Sequence, residues 1–167
     1  VGEVVTMVVN RNLTSSGLRT TQSADEGAFT LDEAAELALD AVELGATEVC
    51  IQGVLPSTEN AEGYLDLIRT IRATEPRLHL HAYRPQDVWD LAERTGRSLD
   101  EALSAMREAG VNSVPGTGVK VLSERARELV APGDLGINRW IEGITAAHRA
   151  GFSSTSVLFY GHVETAA

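Results

Sequence analysis

Three junctions of one kind constrain this chain more than anything else in it. Leu44-Gly45-Ala46, Ala109-Gly110-Val111 and Ala150-Gly151-Phe152 each set a glycine between an amphipathic stretch at helical spacing and a short apolar run. Glycine takes the left-handed conformation that closes a helix, so each triplet reads as helix, stop, strand. Helix starts are marked as well. Thr30-Leu31-Asp32-Glu33 and Ser98-Leu99-Asp100-Glu101 place a hydroxyl three residues ahead of a carboxylate, the reciprocal arrangement of a capping box.

In chain order, the apolar run Val4 to Val9 is a strand candidate. Helices then span Leu31 to Gly45, Glu62 to Thr74 and Ser98 to Gly110, with a short helix opened by Pro85. Strand candidates lie at Thr47 to Ile51, Leu78 to Ala82, Val111 to Val114 and Ser153 to Phe159. Helical stretches near Ser123 to Val130 and Asn138 to Ala150 flank Pro132-Gly133. Strict alternation implies a parallel sheet, because parallel neighbours need a helical crossover. Five strands in 167 residues fall short of an eight-stranded barrel, which takes about 250 residues. An open doubly wound sheet and an incomplete barrel both fit. No helix follows the last strand candidate, so residues 1–167 read as one domain that is incomplete at its C-terminal end.

In either architecture ligands bind at the carboxyl ends of the strands. That places Asn10, Arg11 and Asn12, Gln52 and Gly53, His81 and Tyr83, Pro115 to Gly118, and Tyr160 to Glu164 around one mouth. Composition narrows the partners. A formal net charge of −10 and a pI of about 4.8 argue against nucleic acid and anionic membrane, both of which need clustered Lys and Arg. No apolar run approaches the ~20 residues that cross a bilayer, and nothing resembles a signal peptide. The expectation is a soluble, cytoplasmic protein. One cysteine, Cys50, excludes a disulfide framework and a multi-cysteine metal site.

The strand-end series VVNRN, ATEVCIQG, LHLHAYRPQD, AGVNSVPGTG and YGHVET, in that order, resembles the radical S-adenosylmethionine family. The similar branch is FO synthase, in the half that joins tyrosine to 5-amino-6-(D-ribitylamino)uracil during deazaflavin biosynthesis. The resemblance runs from Val1 to Thr165. It implies a partial (β/α) TIM-like barrel of about five parallel strands with outer helices. It also implies S-adenosylmethionine and a 4Fe–4S cluster as cofactors, with tyrosine and the ribityl-diaminouracil as substrates. In the family the cluster is held by Cys-x-x-x-Cys-x-x-Cys in the loop after the first strand. Here Asn10-Arg11-Asn12-Leu13 leads into TSSGLRTTQSADEGAFTLDEAA, a shorter segment without cysteine. Serine and threonine hydroxyls stay protonated at neutral pH and do not replace thiolates on iron. The cluster is therefore not expected to bind, and no metal ligand is assigned.

The resemblance implies roles for the mouth residues. Asn10, Gln52, Gly53, Pro115, Gly116 and Thr117 fall at cofactor-binding positions, and Val54 stands where the family has a second glycine. His79 and His81 share one strand face. They could form a metal pair, but no carboxylate or third histidine lies at ligand spacing. The family's His-x-His-Ala implies a hydrogen-bonded interior His79 and a substrate-facing His81, against plain core histidines. Asp87 stands in place of a family glutamate, and Lys120 in place of an acidic residue. His162 and Glu164 read as a proton-transfer pair or, equally, as a loop anchored by Tyr160. With His81 they complete the catalytic candidates. Pro115-Gly116-Thr117-Gly118 lacks P-loop spacing and is weak as a phosphate cradle. A Schiff-base lyase would want a lysine at a strand end, and the sole lysine, Lys120, lies beyond one. Trp89, Trp140 and Met106 read as core. An exposed sheet edge invites self-association or a completing partner chain.

Overall fold

In the computed structural model the residues described are 6–8, for the backbone alone, and 30–117, 121–158, 161 and 163. Local chemistry explains the helix starts. Thr30 Oγ1 accepts from Glu33 N at 3.2 Å while Glu33 Oε2 accepts from Thr30 N at 2.6 Å. Ser98 and Glu101 repeat the exchange. At the helix ends, Gly45, Gly110 and Gly151 have φ of 87°, 120° and 80°, the region that favours glycine.

The elements are β1 (Thr6–Val8), α1 (Leu31–Glu43), β2 (Glu48–Ile51), α2 (Gly63–Thr74), β3 (His79–Ala82), α3 (Pro85–Thr95), α4 (Leu99–Ala109), β4 (Ser113–Val114), α5 (Glu124–Val130), α6 (Ile137–Arg149) and β5 (Ser153–Ser154). The sheet is parallel throughout and its strands lie in sequence order, β1-β2-β3-β4-β5. Glu48 pairs with His79, Cys50 with His81, His81 with Ser113, and Ser113 with Ser153. Each crossover advances the same way, and right-handed crossovers then bring the packed helices to one side. The helices accordingly touch in an unbroken series, α1 to α2, α2 to α4, α4 to both α3 and α6. A doubly wound sheet would reverse direction, so that alternative is removed and an α/β architecture wound one way remains.

Period two sorts the strand residues. Val49, Ile51, Leu78, Leu80, Ala82 and Val114 enter the apolar core with Leu65, Ile68, Leu103 and Met106 from the helices. Glu48, Cys50, His79, His81 and Ser113 occupy the alternate positions, on the face turned away from the helices. Two expectations change here. The last strand stops at Ser154 instead of Phe159: Phe152 is buried, but Thr155 to Leu158 are exposed and have no core to reach. His79 is hydrogen-bonded as expected yet exposed: it opens β3 at the rim of the sheet, while His81 two residues on along the same face is buried. Met106 is in the core, whereas Trp89 lies in the α3–α6 seam. There its Nε1 donates to Arg139 O at 3.0 Å, Arg139 stacks on its ring, and Gly143 lets the helices close on Pro85.

Arg72, near the end of α2, ties the opposite end of the sheet. Its Nη1 donates to Pro76 O and Leu78 O at 2.8 Å, and its Nη2 to Gly110 O and Asn112 Oδ1 at 2.6 Å. Asn112 Oδ1 also accepts from Leu80 N. One guanidinium thus sets where β3 and β4 begin. Gly110 is needed for this, since a Cβ there would stand 2.9 Å from Arg72 Nε. Arg72→Met keeps the stem and strands these acceptors; urea unfolding should show a loss of about 2–4 kcal/mol.

Candidate functional site at the strand ends

Around the carboxyl ends of the strands, backbone geometry is held by side chains of the protein itself. Gly53, with φ of 133°, donates its amide to Asp87 Oδ2 at 3.1 Å. Asp87 is fully buried and also accepts from Arg84 N at 3.0 Å, Arg84 Nε at 3.2 Å and Arg84 Nη2 at 3.0 Å. Burial alone would lower the Arg84 pKa, but the Asp87 carboxylate, with Asp134 and Tyr64 adding to it, holds the guanidinium above its ordinary value. Sequence reasoning placed Gly53 against a cofactor. In the structure its amide is engaged by Asp87, which docks the loop after β2 onto the start of α3.

Next to it, Tyr83 adopts φ of 68°, a conformation that costs a non-glycine residue about 1–3 kcal/mol. Three contacts hold it there. Its amide donates to Ile51 O at 2.8 Å, its hydroxyl donates to Tyr64 O at 2.7 Å, and its ring meets Tyr64 edge to face at 5.0 Å. Tyr64 in turn donates to Asp90 and accepts from Leu55 N.

Gln52 and Thr117 are brought together: Thr117 Oγ1 donates to Gln52 Oε1 at 3.1 Å, joining the end of β2 to the loop after β4. Pro115 and Gly116 are buried. A Cβ on Gly116 would lie 1.8 Å from Thr155 O, so this glycine admits the neighbouring strand end. Asn10, Arg11, Asn12, Gly118, Lys120, Tyr160, His162 and Glu164 lie outside the described residues, and the proposed His162–Glu164 pair is not placed.

His81 is buried at the centre of a polar row. Ser113 Oγ lies 2.7 Å from both His79 Nε2 and His81 Nδ1, and His81 Nε2 lies 3.1 Å from Thr155 Oγ1. Glu48 Oε2 stands 3.7 Å from His79 Nε2. Burial lowers the His81 pKa, Glu48 pulls the other way, and the nearby His79 adds to the lowering. The imidazole is neutral at pH 7. Sequence spacing missed Glu48, Ser113 and Thr155, which are remote along the chain. The signal that finds them is the parallel register, Glu48 opposite His79 and His81 opposite Ser113.

Cys50 lies in β2 on the same face, with Gln52 Nε2 at 3.9 Å from its Sγ. Burial, then Glu48 and Asp87, push its thiol up to about 11, with Arg84 opposing. It is a protonated thiol at neutral pH. Among the described residues no three His, Cys, Asp or Glu side chains are grouped to hold a metal ion.

The profile of the Radical SAM superfamily matches residues 15–167, and the chain belongs to that superfamily. Within it, the chain is 39% identical over 175 residues to an FO synthase of Nocardia farcinica, covering 98% of this chain and 20% of that protein. It is 37% identical over 180 residues to the 5-amino-6-(D-ribitylamino)uracil–L-tyrosine 4-hydroxyphenyl transferase of Microcystis aeruginosa, covering 98% of this chain and 48% of the relative. A transferase of the same name from Methanosarcina barkeri is 36% identical over 171 residues, with 98% and 46% covered. The chain thus spans less than half the length of these relatives. All three alignments exceed the 167 residues available, so each relative carries residues without a counterpart here. A crystal structure of an uncharacterized protein, 16% identical, shares the fold with a TM-score of 0.50 over 92% of this chain and 46% of that one. No helix among the described residues is long and apolar enough to cross a membrane.

The residues present do not fit the iron–sulfur cluster that this superfamily implies. Three thiolates are required to hold it. The chain has one cysteine, which lies in β2 and is held protonated, and residues 9–30 contain none.

Two outcomes follow. Asp87→Asn should retain an acceptor for Gly53 but strip the countercharge from Arg84. It should destabilise the fold by about 2 kcal/mol in denaturant titration, below the full cost of breaking a buried pair because the Arg84 side chain keeps 22% exposure. Alkylation of Cys50 in the native protein should keep accelerating towards pH 11, the rate following the thiolate; in denaturant it should level off near the ordinary value of 9.0.

Proposed function

We propose that this chain forms strands and helices of a (β/α) barrel of the radical S-adenosylmethionine type. In this reading it is a relative of the tyrosine 4-hydroxyphenyl transferases that binds a small polar ligand at its strand-end mouth and generates no radical by itself. The barrel reading is supported by consecutive parallel strands with helices on one side. The loss of radical chemistry is carried by a single observation: the only cysteine is a protonated thiol in β2.

Binding is supported by the arrangement that remains. Gln52 and Thr117 bridge two strand ends, and Arg84 is fixed beside them by Asp87. His81 is a buried neutral imidazole whose Nε2 lies 3.1 Å from Oγ1 of the exposed Thr155. The ligand class that this surface suits, and that the relatives' names point to, is tyrosine or the ribityl-diaminouracil. The protein works in the cytoplasm in this reading, and a second copy or a completing chain packs against the sheet face opposite the helices.

Anaerobic reconstitution with iron and sulfide, followed by the cluster's visible absorbance and a 5′-deoxyadenosine assay, should give neither signal. Calorimetry should give saturable heat with tyrosine or the ribityl-diaminouracil. Cluster-dependent deoxyadenosine would overturn the first part, and flat titrations with both compounds the second.

A further inference from the structure

The polar row Glu48, His79, Ser113, His81 and Thr155 has a direction that the coordinates of its heavy atoms already constrain. Ser113 carries one hydroxyl proton and stands 2.7 Å from two imidazole nitrogens, His79 Nε2 and His81 Nδ1. If both rings donated to it, its own proton would need a third acceptor. None is found for its side chain among the described residues, and Ser113 is buried; an unmet buried donor is costly. One ring therefore donates to the serine and the other accepts from it.

Glu48 decides which. Its carboxylate lies 3.7 Å from His79 Nε2. A ring N–H there faces the negative charge favourably, whereas a lone pair at the same nitrogen would oppose it. His79 Nε2 then donates to Ser113 Oγ, and Ser113 donates to His81 Nδ1. That leaves the His81 proton on Nε2, where it donates to Thr155 Oγ1 at 3.1 Å. Thr155 is exposed, and with its oxygen accepting, its own hydroxyl proton is free to point outward.

We propose that Glu48, through His79 and Ser113, sets the tautomer of His81 as Nε2–H, so that this face of the sheet meets a ligand as a hydrogen-bond donor and selects acceptor oxygens. Glu48, His79 and Ser113 are positioning residues in this scheme. Burial, which keeps the His81 imidazole from protonating in spite of Glu48, agrees with a neutral ring whose tautomer matters. The inference deepens the ligand-binding reading above, but its test is made on the ligand-free protein and so does not share that reading's fate.

Long-range nitrogen–proton correlation spectra of the 15N-labelled protein at pH 8 distinguish the two tautomers by their ring-nitrogen shifts. The wild type should show His81 as Nε2–H. Glu48→Gln, which keeps the side chain's size and removes its charge, should move His81 towards an even mixture. Ser113→Ala should do the same, and Ser113→Thr, which keeps a hydroxyl, should restore the wild-type pattern. An Nδ1–H tautomer in the wild type would overturn the proposal. So would an Nε2–H tautomer unchanged in Glu48→Gln, which keeps the test decisive even where a substitution at the buried Ser113 fails to fold.

Discussion

A sheet whose parallel strands follow one another in sequence order has one face for its crossovers and another that they leave bare. That constraint governs the rest of this molecule. Among the described residues it gathers α1, α2, α3, α4 and α6 into one packed series beside the strands and so makes alternate strand positions unequal. Val49, Leu80 and Val114 go to the packed side, Cys50, His81 and Ser113 to the other. Polar groups on the second side cannot be met by helices. They meet one another across the strands, which is why a row of side chains from four distant stretches of sequence ends up hydrogen-bonded.

Charged side chains do comparable work at both ends of the sheet. Arg72 gathers carbonyls where β3 and β4 begin, and Asp87 gathers amides and a guanidinium where β2 and β3 end. In each case a group that is expensive to bury is surrounded by backbone groups that would otherwise lack partners, so each cost offsets the other. The strained Tyr83 lies beside the second anchor, directly after β3, and is held by the neighbouring strand end and by α2: its amide donates to Ile51 O and its hydroxyl to Tyr64 O.

Much of the architecture was legible because it is local. Capping boxes at Thr30 and Ser98, the glycine after each of three helices, and Pro85 at the start of α3 are short-range signals, and the structure follows them within a residue or two. The absent cluster ligands were legible for a simpler reason, since counting cysteines needs no fold. What sequence could not supply was pairing across strands. The carboxylate beside His79 comes from Glu48, thirty-one positions earlier, and only the register brings them together. Gly116 shows the same limit from the other side. A glycine beside a functional loop looks the same whether a ligand or the chain's own Thr155 fills the space. The end of β5 was overextended because apolar residues 157 and 158 suggest a strand, yet the core has already closed at Phe152.

The α3–α6 seam has an optical consequence. Both tryptophans lie on these two helices, Trp89 under the Arg139 guanidinium and Trp140 packed at the core's margin, and no other described element carries an indole. Tryptophan emission, excited where tyrosine does not absorb, is therefore a local gauge in this protein. It registers whether α6 is seated on α3, and it is silent about the strand ends where the ligand-facing chemistry lies.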